Sequence, residues 1–112
     1  MKKIFRIKKN EAIKAVMDHR DIRKDGFFSV YKKKSDLPHF RYAISVPAKY
    51  GTAARRIRIK RQLRMIIKEC DIQVPVDLFI IVHKKASTLD FWQQRHRVRT
   101  LLKKHGINIK NS

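Results

Sequence analysis

The sequence is poor in acidic residues, in cysteine and in residues that interrupt secondary structure. It contains 9 Asp or Glu residues, 1 Cys, 3 Pro and 3 Gly among 112 residues. A single cysteine cannot form an internal disulfide, so a small scaffold held together by disulfides is excluded. No uncharged apolar run approaches the roughly eighteen residues of a transmembrane helix, so we expect no membrane-spanning segment.

The chain also lacks any sign of internal division. No repeat or change of composition separates one part from another, and Pro and Gly are too few to predict a flexible linker. We therefore predict a single domain over residues 1–112. Lys2, Lys3 and Arg6 interrupt the first apolar residues, where a signal peptide has a continuous apolar run. We expect a soluble protein of the cytoplasm.

Positive charge is what the sequence has in excess. Its 29 Lys and Arg residues give a formal net charge of +20 and are spread from end to end. Hydrophobic residues make up 43% of the chain, which is enough for a packed core. A folded surface with this charge predicts a polyanionic partner and disfavours metal chemistry by clustered carboxylates.

Apolar periodicity predicts six elements in the order helix, strand, strand, helix, strand, helix. The predicted ranges are 10–19, 27–31, 41–46, 53–70 and 76–83, followed by a last helix that Ser87 and Asp90 open and Gly106 ends. Residues 32–40 are predicted to form a loop. Because a helix joins the strands at 41–46 and 76–83, these two strands should be parallel. The fold class is therefore mixed α/β, an α+β two-layer sandwich with a βαβ crossover.

Local patterns add three details to this prediction. Asn10 is expected to cap the first helix. The strand at 41–46 alternates, so Tyr42 and Ile44 should face one side of the sheet and Ala43 and Ser45 the other. The strand at 76–83 is almost continuously apolar, which predicts burial on both faces.

The sharpest feature is the basic segment 55–64. Six of its ten residues are cationic and none is acidic: Arg55, Arg56, Arg58, Lys60, Arg61 and Arg64. At 3.6 residues per turn, Arg56, Lys60 and Arg64 form a ridge beside the apolar stripe. Arg58 and Arg61 project farther from the core. Like charges at i and i+4 weaken an isolated helix, so the pattern favours a helix whose cations bind phosphates.

Nucleic acid is therefore the favoured partner. A helix-turn-helix that reads DNA needs two adjacent helices, whereas strands flank the predicted helices here. A membrane-surface helix needs bulky apolar anchors opposite its charges, and packing on the sheet explains the apolar stripe better. Both stay as less favoured alternatives.

Candidates for protein-based catalysis are weak. The nine acidic residues form no D-x-D or H-E-x-x-H motif, so the sequence predicts no catalytic residue and no metal ligand. A pair of histidines acting as acid and base, as in a metal-free ribonuclease, stays open without a supporting spacing. Cys70 and Met17 are expected in the core by default. Trp92 is expected to pack against a sheet edge or a loop, with stacking on RNA as the alternative.

The motif around the basic segment resembles that of a known family. Residues 45–64 read S-V-P-A-K-Y-G-T-A-A-R-R-I-R-I-K-R-Q-L-R. They resemble the signature of the bacterial ribonuclease P protein subunit, S-V-S-K-K-x-G-N-A-V-x-R-N-x-x-K-R-x-x-R. Residues 6–11 resemble the family's opening R-L-K-K-N-E, and residues 77–86 resemble its strand D-x-x-x-I-A-R-K-P-A. The resemblance spans nearly the whole chain in the right order.

Some positions depart from the family pattern. Ile57 stands at the Asn of the arginine-asparagine-arginine motif, Thr52 stands at another Asn, and His83 at an Arg. Ile13 and Met17 stand where the family has two Phe on its first helix. The chain thus resembles a divergent member.

The resemblance implies the small protein partner of a large catalytic RNA, together removing the 5′ leader of precursor transfer RNA by magnesium-dependent hydrolysis. Catalysis and Mg²⁺ would belong mainly to the RNA, and no obligate protein partner is implied. The implied fold resembles the second domain of ribosomal protein S5, with a left-handed crossover. The cations of segment 55–64 would contact the catalytic RNA. A cleft between the first helix and the sheet would hold the leader, and its matching positions are Ile13, Met17, Tyr31, Ser45, Lys49 and Lys84.

Two functions stay open at this point. The first is the protein component of this ribonucleoprotein endonuclease, which the retained residues Tyr31, Ser45, Lys49 and Lys84 favour. The second is a general RNA-binding or ribosome-associated protein without a role in cleavage, which Ile57 at the motif Asn favours. A preference for RNA with an unpaired 5′ leader separates the two.

Overall fold

A computed structural model describes residues 5–110, and three helices and a four-stranded sheet form this part of the chain. The helices are α1 (Asn10–Asp18), α2 (Ala53–Cys70) and α3 (Phe91–Lys104). The strands are β1 (Ile22–Lys24), β2 (Phe28–Lys34), β3 (Arg41–Ser45) and β4 (Val76–Val82). Short 3-10 helices follow β3 (Ala48–Tyr50) and β4 (Lys84–Thr88). No helix within residues 5–110 is long and apolar enough to cross a membrane.

The sheet confirms the predicted mixed α/β class. Its strand order is β1-β2-β4-β3, with β4 antiparallel to β2 and parallel to β3. Tyr42 lies opposite Leu78, and Ile44 lies opposite Ile80. The parallel pair that the strand-helix-strand order predicted is therefore present, with α2 as the crossover.

Both faces of the sheet are covered because β4 is apolar on both sides. Leu78, Ile80 and Val82 belong to the main core beneath α2 and α3. Phe79 points to the opposite face, where it packs with Val16 of α1. The burial of β4 on both faces is confirmed. The layer of α2 and α3 on the sheet forms the predicted sandwich, and α1 covers part of the other face.

Two strand predictions were wrong. The three-residue β1 was not predicted, because a run of Ile-Arg-Lys has no recognisable apolar period. Residues 32–34 were assigned to a loop, yet they continue β2 and pair with β4. The backbone of β4 pairs with residues 32–34 although all three side chains are lysines. Lys32 Nζ donates to the His105 carbonyl at 3.0 Å.

Two helix starts also differ from the prediction. Lys9 rather than Asn10 occupies the N-cap of α1, and it makes no side-chain capping bond. Asp90 alone caps α3, in a reciprocal capping box with Gln93. Ser87 lies in the preceding 3-10 helix. The direction in which the chain enters a helix decides the N-cap as well as the residue type. Residue spacing alone therefore predicted Asn10 wrongly as the cap of α1 and included Ser87 wrongly at the start of α3.

Gly106 ends α3 as predicted. Its φ is +76°, the left-handed conformation that glycine adopts without strain. Its N–H donates to Lys103 O at 2.9 Å, and the N–H of Ile107 donates to Leu102 O at 3.1 Å. These two bonds form a Schellman motif, and the buried Ile107 side chain completes it.

Three singled-out side chains have contrasting environments. Cys70 is fully buried, as expected, and burial raises the pKa of its thiol. Met17 was expected in the core, but 37% of it is exposed at the end of α1. Trp92 was expected to pack against a sheet edge or loop, yet it is 70% exposed. Trp92 lies two residues from the buried Gln94, so about 200° of helical rotation turns it away from the core.

His105 anchors the end of α3 to the sheet. Its Nε2 donates to the Val30 carbonyl at 2.6 Å, so Nδ1 carries no proton in the neutral ring. Nδ1 lies 3.6 Å from Asp21 Oδ1, too far for a hydrogen bond. Burial lowers the pKa of His105, and the nearby Lys32 and Arg23 act in the same direction, while the Val30 carbonyl and Asp21 oppose them.

This environment predicts acid destabilisation. Because the pKa of His105 is lower in the folded protein than in the unfolded chain, the unfolded state takes up the proton first as pH falls. The stabilisation that neutral His105 contributes to folding is therefore complete above about pH 6.5 and is lost as pH falls below it. We expect His105→Gln to show a smaller loss of unfolding free energy between pH 7.5 and 5 than the parent protein.

Urea unfolding at the two pH values measures this difference. His96→Gln, at an exposed position of the same helix, is the control and should keep the parent's loss. Equal losses in the parent and in His105→Gln would contradict the assignment.

Candidate nucleic-acid interface

The basic helix α2 has the bounds that its sequence predicted. Thr52 caps it, with Thr52 Oγ1 accepting from the Arg55 N–H at 3.3 Å. Its buried side chains form one stripe, Ile59, Leu63, Ile66, Ile67 and Cys70. The stripe holds α2 on the sheet and fixes the direction in which the remaining side chains point.

The six α2 cations lie on the outer surface of this helix. Arg55, Arg58 and Arg61 are exposed. Arg56, Lys60 and Arg64 are half-buried beside the apolar stripe, as the predicted ridge requires. Structure and sequence agree on which cations project farthest from the core.

Acidic partners for these cations are missing from the part of the chain that the structure describes. The ion pairs within residues 5–110 use the carboxylates of Asp21, Asp25, Glu69 and Asp77, and none of them reaches one of the six α2 cations. The Arg56 Nε is buried without a hydrogen-bond partner in residues 5–110. The helix thus presents a surface of uncompensated positive charge, which fits a polyanion.

A groove lies between the first half of α2 and the start of α3. It has a volume of about 400 Å³, and its walls include Tyr50, Arg55, Arg58, Gln62 and Phe91. Burial raises the pKa of the Tyr50 hydroxyl, and the neighbouring arginines Arg55 and Arg58 partly offset this effect. The groove therefore offers guanidinium groups and a neutral phenol side by side.

The predicted cleft residues lie on the opposite side of the sheet. Ile13 and Tyr31 pack against the same small cluster, which Phe79 and Val16 centre. The Tyr31 and Phe79 rings are 6.1 Å apart between centroids. Ser45 pairs with Ile81 and follows Ala43 by two residues, so it shares this face. We call the surface the α1 face of the sheet.

The two predicted cleft lysines lie at one edge of the same sheet. Lys49 is in the 3-10 helix that follows β3, and Lys84 is in the one that follows β4. Because β3 and β4 are parallel, their carboxyl ends meet at one edge, and these two 3-10 helices are in contact. Both lysines are exposed. Met17 completes the set at the exposed end of α1.

Sequence reasoning missed a second pocket on the α1 face. It has a volume of about 640 Å³, and Tyr31, Lys24, Ser29 and His83 are among its walls. Ser29 Oγ and His83 Nε2 share a hydrogen bond of 2.7 Å. Ser29 could have been placed on this face because it lies two residues before Tyr31 in the same strand. Lys24 could not, because its position depends on β1, which the sequence pattern did not predict.

The structure also places the residues considered for protein-based catalysis. Among residues 5–110, no three His, Cys, Asp or Glu side chains converge to hold a metal ion. His96 is exposed while His105 is buried, and nine positions separate them, about 14 Å along a helix. The structure does not bring these two histidines together.

Comparison with known proteins agrees with the motif. The family model described as Ribonuclease P matches residues 1–106. The ribonuclease P protein component of Bacillus mycoides is 36% identical over 110 residues, covering 96% of each chain. That of Mesoplasma florum is 34% identical over 99 residues, covering 86% of this chain and 90% of its own.

Solved structures extend the agreement to the fold. A Staphylococcus aureus RNase P protein superposes with a TM-score of 0.85 at 27% identity, covering 93% of this chain and 97% of that one. The RNase P protein of Thermotoga maritima gives a TM-score of 0.80 at 28% identity, covering 88% of this chain and 96% of that one. The chain therefore belongs to the family of bacterial ribonuclease P protein components, whose partner is the ribonuclease P RNA.

Proposed function

We propose that this protein binds ribonuclease P RNA through α2 and holds the 5′ leader of precursor transfer RNA on its α1 face. The observation that carries the proposal is the set of six α2 cations without an ion pair within residues 5–110. Phosphates would neutralise the repulsion between these side chains. A phosphate oxygen would also satisfy the buried Arg56 Nε.

The mechanism we propose is electrostatic. Two RNAs that approach each other carry dense negative charge, and a protein of net charge +20 between them reduces the repulsion. Less Mg²⁺ is then needed to hold the complex together. The protein thus acts on binding and positioning, and we assign the hydrolytic chemistry to the RNA.

Magnesium is assigned mainly to the RNA because the donor set of the protein does not fit a dedicated site. Mg²⁺ prefers carboxylate and other oxygen ligands in octahedral geometry. In the described residues the paired carboxylates of Asp21, Asp25, Glu69 and Asp77 lie in separate ion pairs with cationic side chains. When bound in the complex, Mg²⁺ would supply the activated water for hydrolysis.

The leader would be held by a mixture of stacking and charge. Tyr31 is half-buried on the α1 face and can present its ring to a base. Lys49 and Lys84 lie at the adjacent edge, where a strand leaving the cleft would bring its phosphates. Ile13 and Met17 supply apolar contact in place of aromatic rings. Contact with the leader would make the complex prefer precursor over mature transfer RNA.

Reconstitution tests the function as a whole. The protein is mixed with ribonuclease P RNA and 5′-labelled precursor transfer RNA, at a magnesium concentration too low for the RNA alone. We expect cleavage at the mature 5′ end only when the protein is present. If the protein binds both RNAs but cleavage never increases, even with the RNA of its own organism, a general RNA-binding protein is indicated instead. Cleavage without the catalytic RNA would also contradict the proposal.

The role of α2 is tested by removing its two outermost cations. We expect Arg58→Ala with Arg61→Ala to weaken binding to ribonuclease P RNA by about tenfold or more. The slope of log affinity against log salt concentration should fall by about two, one for each phosphate that the variant no longer binds. The melting temperature should stay the same, because both side chains are exposed.

Lys34→Ala with Lys68→Ala is the matched control, since it removes the same charge from two exposed positions away from the first half of α2. Its affinity should stay close to that of the parent protein. An equal loss of affinity in both double variants would show that only net charge matters.

The leader contact is tested on the assembled ribonucleoprotein. We expect Lys49→Ala with Lys84→Ala to reduce the preference for precursor over leaderless transfer RNA by about fivefold or more, because two cations that bind leader phosphates are removed. Affinity for the leaderless RNA should not change. Titration of the complex with the two RNAs measures both affinities. A parallel loss for both RNAs would place the lysines outside the leader path.

A further inference from the structure

Trp92 is the most exposed of the large hydrophobic side chains within residues 5–110, and the proposed function does not use it. It is the only Trp of the chain, and 70% of it is exposed. Phe91 touches its ring edge-to-face with centroids 5.3 Å apart, and the Arg95 guanidinium lies 6.0 Å from the ring centroid. Most of the ring is exposed to water, so the protein gains little stability from burying this large aromatic surface.

The helix that carries Trp92 is basic. Its Lys and Arg side chains that reach the surface are Arg95, Arg97, Lys103 and Lys104, whereas Arg99 is buried. Arg95 pairs with Glu69 and Arg97 pairs with Asp25. A groove of about 490 Å³ runs along the exposed side of the helix. Its walls include Trp92, His96, Thr100 and Lys104, which follow one another at steps of four residues, together with the charged residues Asp25, Asp90 and Arg97. An aromatic ring on a basic, groove-forming helix matches the chemistry of an unpaired nucleotide, whose base stacks while its phosphate binds a cation.

Position in the fold separates this surface from the leader cleft. α3 packs on the sheet face that carries Phe28, Val30 and Ile80, together with α2. α1 and Tyr31 lie on the other face. The sheet stands between Trp92 and the leader cleft, so a leader held on the α1 face does not account for an exposed ring on α3.

The surface is instead continuous with the cations of α2. Phe91, which touches Trp92, lines the same groove as Arg55 and Arg58. Arg95, which lies against the Trp92 ring, also binds Glu69 of α2 at 3.2 Å. An RNA that lies across the first half of α2 therefore reaches Trp92 along a groove in which Asp90, the N-cap of α3, is the one acidic wall residue.

We propose that Trp92 is a stacking platform for an unpaired nucleotide of ribonuclease P RNA, forming a second contact beside the α2 cations. The inference rests on the proposed function, because it names the same RNA as the partner of both helices. It adds a base contact to an interface that is otherwise electrostatic. It also explains why the ring is kept on the surface instead of in the core.

The single Trp allows a direct measurement. Ribonuclease P RNA is titrated into the 112-residue protein while Trp emission is recorded. We expect the emission of the exposed ring to be quenched on binding and its access to acrylamide to be lost. Trp92→Ala should weaken binding by about five- to 150-fold, the range for loss of one base–aromatic stack. Trp92→Phe should keep affinity within about threefold of the parent.

Salt dependence separates stacking from charge. Trp92→Ala removes no charge, so it should lower affinity without changing the slope of log affinity against log salt concentration. Arg58→Ala with Arg61→Ala should change that slope. Leu37→Ala is the matched control, because it truncates another exposed apolar side chain, in the loop between β2 and β3, and should bind like the parent.

Other outcomes overturn the inference in distinguishable ways. The role of Trp92 would be overturned if RNA leaves the Trp emission of the parent protein unchanged and Trp92→Ala binds RNA with the parent's affinity. If Arg58→Ala with Arg61→Ala still weakens binding, the proposed function stays intact. Failure of the parent protein to bind ribonuclease P RNA would overturn both. Quenching by precursor transfer RNA alone would assign Trp92 to the substrate. Quenching that follows protein concentration without RNA would indicate contact between two copies of the chain.

Discussion

The burial of β4 on both faces is the constraint on which the rest of the structure depends. β4 lies between β2 and β3, with Ile80 fully buried on one side and Phe79 buried on the other. An apolar strand of this kind must be covered on both faces, so helices are required above and below the sheet. α2 and α3 cover one face and α1 the other. The basic helix and the α1 face are consequently held on opposite sides of one rigid layer, where they can meet different RNA segments at once.

The elements that sequence predicted well are those with long, strong apolar periodicity. α2 was predicted well because its buried stripe repeats over about three turns, from Ile59 to Cys70. β4 was predicted because few alternatives explain a continuous apolar run. β1 was missed because three residues, two of them charged, contain no period. The end of β2 was missed because its lysines pair through the backbone, which side-chain pattern does not report.

The same distinction applies to the candidate site. The six α2 cations were found from charge and spacing, since a helix places neighbours in sequence on one surface. The six predicted cleft residues come from five separate elements, so only the family resemblance could group them. The Ser29–His83 hydrogen bond joins positions 54 apart in the chain and had no local signal. Trp92 was placed wrongly because a lone aromatic does not reveal which side of its helix is buried until its partners are known.

The division of charge links the fold to its partner. Four of the nine acidic residues take part in ion pairs within residues 5–110. Asp77, buried at β4, binds Arg41 of β3 through both carboxylate oxygens at 2.7 and 3.0 Å. That hydrogen bonding raises the pKa of Arg41. Among the described residues 5–110 the first half of α2 receives no such partner, and its like charges oppose helix formation. The apolar stripe beneath α2 offsets this repulsion, since each fully buried Leu or Ile contributes about 1.5–3 kcal/mol. In the proposed function phosphates would relieve the same repulsion, so binding of RNA and stability of α2 would be coupled. The sheet thus supports a helix whose positive charge finds no acidic partner within residues 5–110.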